Sequence, residues 1–260
     1  MKKKPAFSAI IIAGILLIGP ACNKWIDYMA NHPVVGHCQI RQFSFVDRFG
    51  GADTMNFTYN SWDDPVAGLR PGPRTGAPNF FFRYDRQHRL TELIGAYGMA
   101  PLEQGVESWN KYFYDGSGRI VKDSLYFFPD IVDGHPTHGE FGTTSQYWYE
   151  YDSRDRISKV TWLIEGSSNP TVTTYTYDPN GNLVGPAAYD NKLSFRLTNK
   201  IWMFLDRNYS INNPAIAAYT YNQTGLPTTI DCFPGNSAEF MTVPSTSLSY
   251  TKAVIGYNCR

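Results

Sequence analysis

The sequence predicts an all-β protein, folded as a single antiparallel β-meander of hairpins in a strongly twisted or partly curled sheet. Three observations support this. Aromatic residues make up 15% of the 260 residues, and large planar side chains favour strands. A Tyr-x-Tyr pair followed by Asp or Asn and a turn recurs along the chain. Helical spacing is confined to one short segment, residues 193–205.

The clearest copy of the recurring unit runs from Tyr112 to Ile120. Tyr112 and Tyr114 are two residues apart, so they lie on one face of a strand. Asp115 caps the turn through its side chain, and Gly118 supplies the positive φ that a tight reversal needs. The unit therefore predicts a hairpin, and none of its residues requires a reactive partner.

Six copies of the unit occur at irregular spacing, so insertions of variable length separate similar hairpins. Their second tyrosines are Tyr59, Tyr84, Tyr114, Tyr151, Tyr177 and Tyr221. The predicted turn residues are Asp85, Asp115, Gly118, Asp152, Asp178, Gly181, Asn222 and Gly225.

Three further segments have their own patterns. Apolar residues of the returning strands are three apart, as in Leu90 and Leu93, which predicts either a bulge or apolar neighbours on both faces. Prolines and glycines over 68–78 predict an exposed loop inside the sheet. Leu197, Ile201 and Phe204 predict a short amphipathic helix within 193–205 that closes one end of the sheet, although the start of this segment also alternates like a strand.

Residues 1–21 have the pattern of a bacterial export signal. Lys2 to Lys4 are basic, Ala9 to Ile18 are apolar but too short to span a bilayer, and small residues precede Cys22. The pattern resembles a lipoprotein signal, which implies lipid attachment at Cys22; an ordinary secretory leader is the alternative. We expect residues 22–36 to be a tether and 37–260 to be the β domain.

Three cysteines remain beyond Cys22, and an exported protein enters an oxidising compartment. They are Cys38, Cys232 and Cys259, so at most one internal disulfide can form. Cys259 could pair with either Cys38 or Cys232, and the sequence does not distinguish the two pairings.

The pattern Tyr-x-Tyr-Asp-x-x-Gly, strongest at Tyr114 to Ile120 and Tyr177 to Leu183, resembles the YD repeat of the RHS and teneurin families. Those families wind many repeats into a closed β-shell, whereas this chain has about six. A closer resemblance is to short YD-repeat lipoproteins of the Bacteroidetes, which share the leader, the cysteine-led first strand and an Asn-rich segment, here 189–214. This resemblance implies a β fold and an outer-membrane location in the cell envelope, but no activity.

The metal-like residues cluster in one segment. Asp133, His135 and His138 lie within residues 130–140, and imidazole with carboxylate suits zinc. Pro136 prevents a helix that would place both histidines on one face, so a solvated loop is the favoured interpretation and metal binding the weak alternative.

Motifs for catalysis are missing from the sequence. It contains neither a Gly-x-Ser-x-Gly elbow nor a glycine-rich phosphate loop, so we predict no catalytic residue and no cofactor. A glycan-active hydrolase stays as an alternative because glycosidase carboxylates leave no local signature.

Partners are limited by charge and aromatic content. Basic and acidic residues number 23 each, and three lysines lie in the leader, so the mature chain has a net charge of −3. This excludes the basic footprint of a nucleic-acid binder. Exposed aromatic side chains could stack on sugars, but core coverage is the favoured interpretation, because these rings alternate with polar residues along the strands. The candidates are Trp62, Trp109, Trp148, Trp162 and Trp202.

These features predict a non-catalytic cell-envelope lipoprotein that serves as a structural or interaction module. Its expected partners are the membrane, through the N-terminal lipid, and a glycan or an envelope protein. A carbohydrate-binding surface module is the first alternative.

Overall fold

The computed structural model describes residues 38–103, 105–139, 144–185, 187–242 and 248–260. The predicted signal peptide, the tether and Cys22 lie outside the described residues, and so does Glu140.

Strands make up most of the described chain. The first ten are β1 (Cys38–Val46), β2 (Ala52–Tyr59), β3 (Pro65–Leu69), β4 (Asn79–Tyr84), β5 (Leu90–Ala96), β6 (Val106–Tyr114), β7 (Ile120–Phe127), β8 (Asp130–Val132), β9 (His135–Thr137) and β10 (Thr144–Tyr151). The others are β11 (Ile157–Ile164), β12 (Thr171–Thr174), β13 (Tyr189–Leu193), β14 (Asn212–Pro214), β15 (Ala217–Tyr221), β16 (Pro227–Cys232), β17 (Ala238–Phe240), β18 (Leu248–Tyr250) and β19 (Lys252–Cys259).

Thirteen of these strands form one antiparallel sheet, which confirms the predicted all-β class. Its order is β12-β11-β10-β7-β6-β5-β4-β3-β2-β1-β19-β16-β15. From β1 to β12 the order follows the chain as a meander, with the small β8–β9 hairpin inserted between β7 and β10. The last strands, β15, β16 and β19, lie on the other side of β1, and the sheet stays open with β12 and β15 at its edges.

The repeat hairpins contain a bulge at the start of the returning strand. In the β4–β5 hairpin, Arg83 pairs with Glu92 and Tyr84 pairs with Leu90, so Thr91 has no residue opposite it. The extra residue lets Leu90 and Leu93 enter the same apolar cluster. The same shift occurs in the hairpins β2–β3, β6–β7, β10–β11 and β15–β16. A bulge is therefore the correct explanation of the three-residue spacing.

A short helical segment lies within residues 193–205, as predicted, but it is more buried than an amphipathic helix would be. A 3-10 turn (Phe195–Thr198) is followed by a helix, α1 (Lys200–Leu205), which Asn199 caps by accepting from the backbone N–H of Ile201 at 2.9 Å. Every residue from Ile201 to Leu205 is buried, so the helix is not amphipathic. Its rings pack on the core-facing side of the sheet, and the Asn199 Nδ2 at its start donates to the Asp63 carbonyl of the first repeat turn at 3.0 Å.

The sheet curves around this helical segment. The Trp202 ring lies 5.1 Å from Phe57 of β2, and the Phe204 ring lies 5.2 Å from Tyr149 of β10. In a flat sheet β2 and β10 would be about 29 Å apart, whereas the six residues of α1 span about 9 Å. The curved sheet and the helix therefore enclose one large apolar core, to which Phe43, Phe240 and Tyr250 also belong.

The proline-rich segment is less exposed than predicted. β3 extends through Leu69, and Arg70 is buried in an ion pair with Asp53. The Arg70 Nε also donates to the Pro78 carbonyl at 3.0 Å, and its backbone N–H donates to Asn79 Oδ1 at 2.7 Å. These bonds tie both ends of the segment to the sheet, and residues 71–76 are left as its more exposed part.

The two ends of the sheet carry different connections. At one end, which we call the turn end, lie the repeat turns 60–64, 85–89, 115–119, 152–156, 178–182 and 222–226. At the other, the loop end, lie the described loops 47–51, 70–78, 97–103, 128–139, 165–170 and 233–237.

Candidate functional site

The turn end is built from one repeated hydrogen-bond arrangement around an Asp or Asn. In the third copy, the backbone N–H groups of Ser117 and Arg119 both donate to Asp115 Oδ1 at 2.9 Å. The Gly118 N–H donates to the Asp115 carbonyl at 3.1 Å. Asn60, Asp85, Asp152 and Asn222 accept the same pair of side-chain bonds in their own turns.

The fourth position after the second tyrosine has a positive φ in all six copies, as predicted for the glycines. Gly118, Gly181 and Gly225 have φ between 79° and 85°. Asp63, His88 and Asp155 occupy the same position with φ between 55° and 64°. The turn therefore dictates the conformation even where the residue is not glycine.

In the second to fifth copies, the second tyrosine binds the preceding copy. The Tyr114 hydroxyl donates to the Leu90 carbonyl at 2.8 Å, and the Tyr151 hydroxyl donates to the Ile120 carbonyl at 2.7 Å. Tyr84 donates to Pro65 in the same way, and Tyr177 donates to Ile157 over 3.4 Å. Each accepting residue immediately precedes the extra residue of the bulge. Burial raises the pKa of Tyr84, Tyr114 and Tyr151, which keeps the donating proton in place.

The arginine of the turn makes a second link between copies. Arg119 forms an ion pair with Asp115 at 2.8 Å, and its guanidinium lies over the ring of Tyr151 in the next copy, 5.3 Å from the centroid. Arg89 covers Tyr114 in the same way, and Arg156 covers Tyr177. The hydrogen bonds of Asp115 to its own turn, the Arg119 backbone N–H first, lower the pKa of its carboxyl.

A cleft of about 270 Å³ opens at the turn end between the repeats and α1. Its lining includes Arg89, Tyr114, Arg119, Tyr151, Lys200 and Phe204. The tyrosine hydroxyls donate to backbone carbonyls, and the guanidinium groups are paired with aspartates of their own turns. Most of the polar groups in the cleft therefore stabilise the repeat, which leaves Lys200 as its candidate contact for a ligand.

A wider cleft of about 680 Å³ lies beside the Asn-rich segment. Here Asn182 and Asn212 bind each other twice, through Nδ2 to Oδ1 at 3.0 Å and through the Asn212 backbone N–H to Asn182 Oδ1 at 2.9 Å. Asp190 accepts from the Tyr221 hydroxyl at 2.5 Å and from the Asn213 amide at 3.1 Å. These amides connect β13 and β14 to the fifth repeat turn, so the asparagines have a structural role.

The disulfide joins Cys38 to Cys259, across 221 residues of sequence. The two cysteines are register partners on the adjacent strands β1 and β19. Cys232 has a free thiol and is the last residue of β16, at the loop end, whereas the disulfide lies at the turn end. Of the two pairings that the sequence left open, the structure has the one between the first and last strands.

The weak metal candidates lie in and beside the β8–β9 hairpin at the loop end. Asp133 and Gly134 form its turn with positive φ, and His135 begins β9. His138 Nδ1 lies 3.6 Å from Glu165 Oε2. Within the described ranges, no group of three or more His, Cys, Asp or Glu side chains could hold a metal ion.

The five candidate tryptophans do not form an exposed row. Trp109 and Trp202 are fully buried, on opposite faces of the sheet. Trp162 stacks on Tyr147 with 6.0 Å between the rings, and Lys122 lies over Trp148. Trp62, in the first repeat turn, is 62% exposed and contacts the His88 ring at 4.0 Å.

The buried carboxyl with a strongly raised pKa, Asp123, was missed by the sequence analysis. Asp123 of β7 is buried, and it accepts two bonds from the Asn110 amide at 2.9 and 3.1 Å. Burial raises the pKa of Asp123 to about 7, against the smaller opposing effects of Asn110, Arg207 and Tyr149. In the sequence Asp123 lies between a lysine and a serine, so nothing there indicated that its side chain faces the core.

Among the described residues, none of the helical segments has the length and apolar character needed to cross a bilayer.

No protein-family model and no curated protein matches this chain. Among solved structures, the chain is similar to a porin-like protein from Bacteroides uniformis, at 11% identity and a TM-score of 0.48, over 85% of this chain and 96% of that one. It is also similar to a complex of TcdB2, TccC3 and Cdc42, at 13% identity and a TM-score of 0.24, over 75% of this chain and 11% of that one. Both likenesses are distant, so the fold described above rests on the chain's own sheet and repeat geometry.

Proposed function

We propose that the protein is a non-catalytic module of the cell envelope, a YD-repeat lipoprotein of the Bacteroidetes type, anchored to the outer membrane through lipid on Cys22. The observation that carries this proposal is that the core-facing side of the sheet, where most of its aromatic rings lie, is covered by the helix α1 of the same chain. Trp202 and Phe204 of α1 fill the curve of the sheet and contact Phe57, Tyr112 and Tyr149.

The repeat chemistry supports a structural role. The tyrosines, aspartates and arginines of the unit bind their own turn or the neighbouring copy. A surface that recognised sugars through stacking would instead need several aromatic rings open to solvent. Trp62 is the tryptophan that best meets this condition in the described chain.

A glycan array tests this role. We expect the folded full chain in detergent to give no signal above background, because the core-facing rings cannot reach a sugar. Binding that is retained in the folded wild type and lost in Trp62→Ala would contradict the proposal and favour a carbohydrate-binding module. Phe113→Ala, which removes a 46% exposed ring from the outer face, is the matched control.

The anchor is tested separately by metabolic labelling with a palmitate analogue. We expect the wild type to be labelled and Cys22→Ala to be unlabelled. Cys232→Ala controls for acylation of the free thiol and should label as the wild type does. An unlabelled wild type would show that the lipid anchor is wrong.

A further inference from the structure

Exposed apolar side chains are concentrated at the loop end of the sheet. Phe49 in the β1–β2 loop is 83% exposed, and other loops of this end, or the strand ends beside them, carry further exposed apolar side chains. The residues that we call the loop-end row are Phe49, Met99, Leu102, Phe128, Ile131, Val132, Ile164 and Phe233. Eight exposed apolar side chains at one end of a sheet make that end a candidate interaction surface.

The turn end differs in composition. Its described turns expose one large hydrophobic side chain, Trp62, which contacts His88. The other turns present Asp, Arg, Ser, Asn and Gly. The same strands lead to both ends, so the difference in exposed apolar side chains comes from the connecting loops and not from the strands.

Two members of the row are held in place. Phe128 has a φ of 43°, an unfavourable value for a bulky residue, and its N–H donates to the Glu107 carbonyl at 2.9 Å. The Phe49 N–H donates to Asp47 Oδ1 at 2.7 Å, and the Arg48 guanidinium lies 4.8 Å from the Phe49 ring. These bonds hold the loop backbone at both phenylalanines, which reduces the backbone entropy lost on binding.

The row lies in an acidic setting. The described loops of this end contain the carboxylates of Asp47, Glu103, Asp130, Asp133 and Glu165. The basic residues of the same loops are Arg48, Arg74, His135 and His138, of which His138 lies 3.6 Å from Glu165, while Arg70 and Asp53 neutralise each other. An anionic lipid surface would be repelled, whereas a partner with basic groups around apolar side chains would be attracted.

The position of the N-terminus agrees with a protein partner. Cys38 lies at the turn end, so the chain that leads to Cys22 starts at the end opposite to the row. This step rests on the proposed lipid anchor. With the anchor in the membrane, the loop end is the end that can point away from the bilayer.

We propose that the loop-end row is a docking surface for an envelope protein whose contact segment carries apolar side chains flanked by Lys or Arg. The row supplies the apolar centre of the interface, and the surrounding carboxylates supply its polar rim.

Site-specific photocrosslinking in intact cells tests this proposal with the full chain. Benzoylphenylalanine replaces Phe49 or Phe128 in the row, and Phe113 on the outer face serves as the control, because it is also an exposed phenylalanine. We expect the same discrete protein adduct from positions 49 and 128 and none from 113. Mass spectrometry should place the crosslink in a basic, apolar segment, and Val132→Ser should lower the adduct yield about tenfold.

Three results would overturn the proposal: an adduct with lipid alone, an adduct with a second copy of this chain alone, or no adduct beyond that at position 113. The experiment is repeated in Cys22→Ala cells, with palmitate labelling read in parallel. Adducts from an unlabelled wild type would mean that the docking surface is right and the anchor wrong. Palmitate labelling of the wild type without any adduct would mean that the lipid anchor is right and the docking surface wrong.

Discussion

At the residue scale, Asp123 is a carboxyl whose ionised form is poorly stabilised. Asn110 and Tyr149 bind it, Tyr112 lies beside it, and Arg207 is the cation that faces it. The Asn110 Oδ1 is also buried without a hydrogen-bond partner among the described residues. A protonated Asp123 can donate to that oxygen once the Asn110 amide turns over.

The raised pKa predicts that Asp123 destabilises the fold at neutral pH. The folded protein holds a proton between the unfolded pKa of 3.8 and the folded pKa of about 7, so the contribution to the free energy of unfolding falls as pH rises through this window. We expect Asp123→Asn to be more stable than the wild type at pH 8, by at most about 4 kcal/mol, and equally stable near pH 3. Urea unfolding at both pH values measures this, and a difference that did not change with pH would contradict it.

Asp115 should behave differently, because its side-chain oxygen matters more than its charge. Asn60 and Asn222 cap equivalent turns with an amide oxygen. We therefore expect Asp115→Asn to cost less than about 1 kcal/mol, the value of an exposed ion pair with Arg119. Asp115→Ala leaves two backbone N–H groups without their acceptor and should cost about 1–2 kcal/mol more. Chemical unfolding of the two variants at pH 7 compares these costs, and equal losses would be inconsistent with this account.

At the scale of elements, the tyrosine hydroxyl is the bond that joins one hairpin to the next. We expect Tyr84→Phe, Tyr114→Phe and Tyr151→Phe each to lower the free energy of unfolding by about 1 kcal/mol. Tyr177→Phe should cost less, because its bond to the Ile157 carbonyl is 3.4 Å long. Equilibrium unfolding of the four variants tests the order, and a larger loss for Tyr177→Phe would refute it.

The helix α1 lies inside the curve of the sheet and forms part of its apolar core. Trp202 is fully buried and contacts Phe57, Phe82 and Phe240. We expect Trp202→Ala to lower the free energy of unfolding by about 3–5 kcal/mol, since it leaves a large cavity. Trp62→Ala is the matched control and should cost far less, because that ring is mostly exposed. Thermal unfolding of both variants measures the contrast, and similar losses would mean that α1 is not part of the core.

At the scale of the whole molecule, the sequence predicted the structural features that depend on residues close together in the chain. The turn residues, the positive φ at Gly118 and the bulge after Leu90 are local, and each copy repeats the signal. The place of β19 beside β1, the burial of α1 and the Asn110–Asp123 contact depend on residues far apart in the chain. A single sequence carries no comparable signal for such contacts, so these features and the choice of Cys38 for the disulfide emerged only from the structure.

The disulfide should contribute substantially to stability, because it closes a loop of 221 residues. We expect Cys38→Ser with Cys259→Ser to lower the free energy of unfolding by about 2–5 kcal/mol. Cys232→Ser, which removes the free thiol, is the control and should have a small effect. Unfolding curves with and without reductant give the comparison. A reductant effect that persists in the double variant would show that this bond is not its source.

The pairing of β1 with β19 also has a mechanical consequence. If tension reaches the domain through the residues before Cys38, it arrives at β1, an interior strand of the sheet, where Cys259 of the adjacent β19 is covalently joined. A pull between the two chain termini is therefore carried across one covalent bond, and the strands from β2 to β18 bear none of that load. Such a pull does not extend the sheet, so the repeats stay folded under a tension that would unravel an open chain of hairpins.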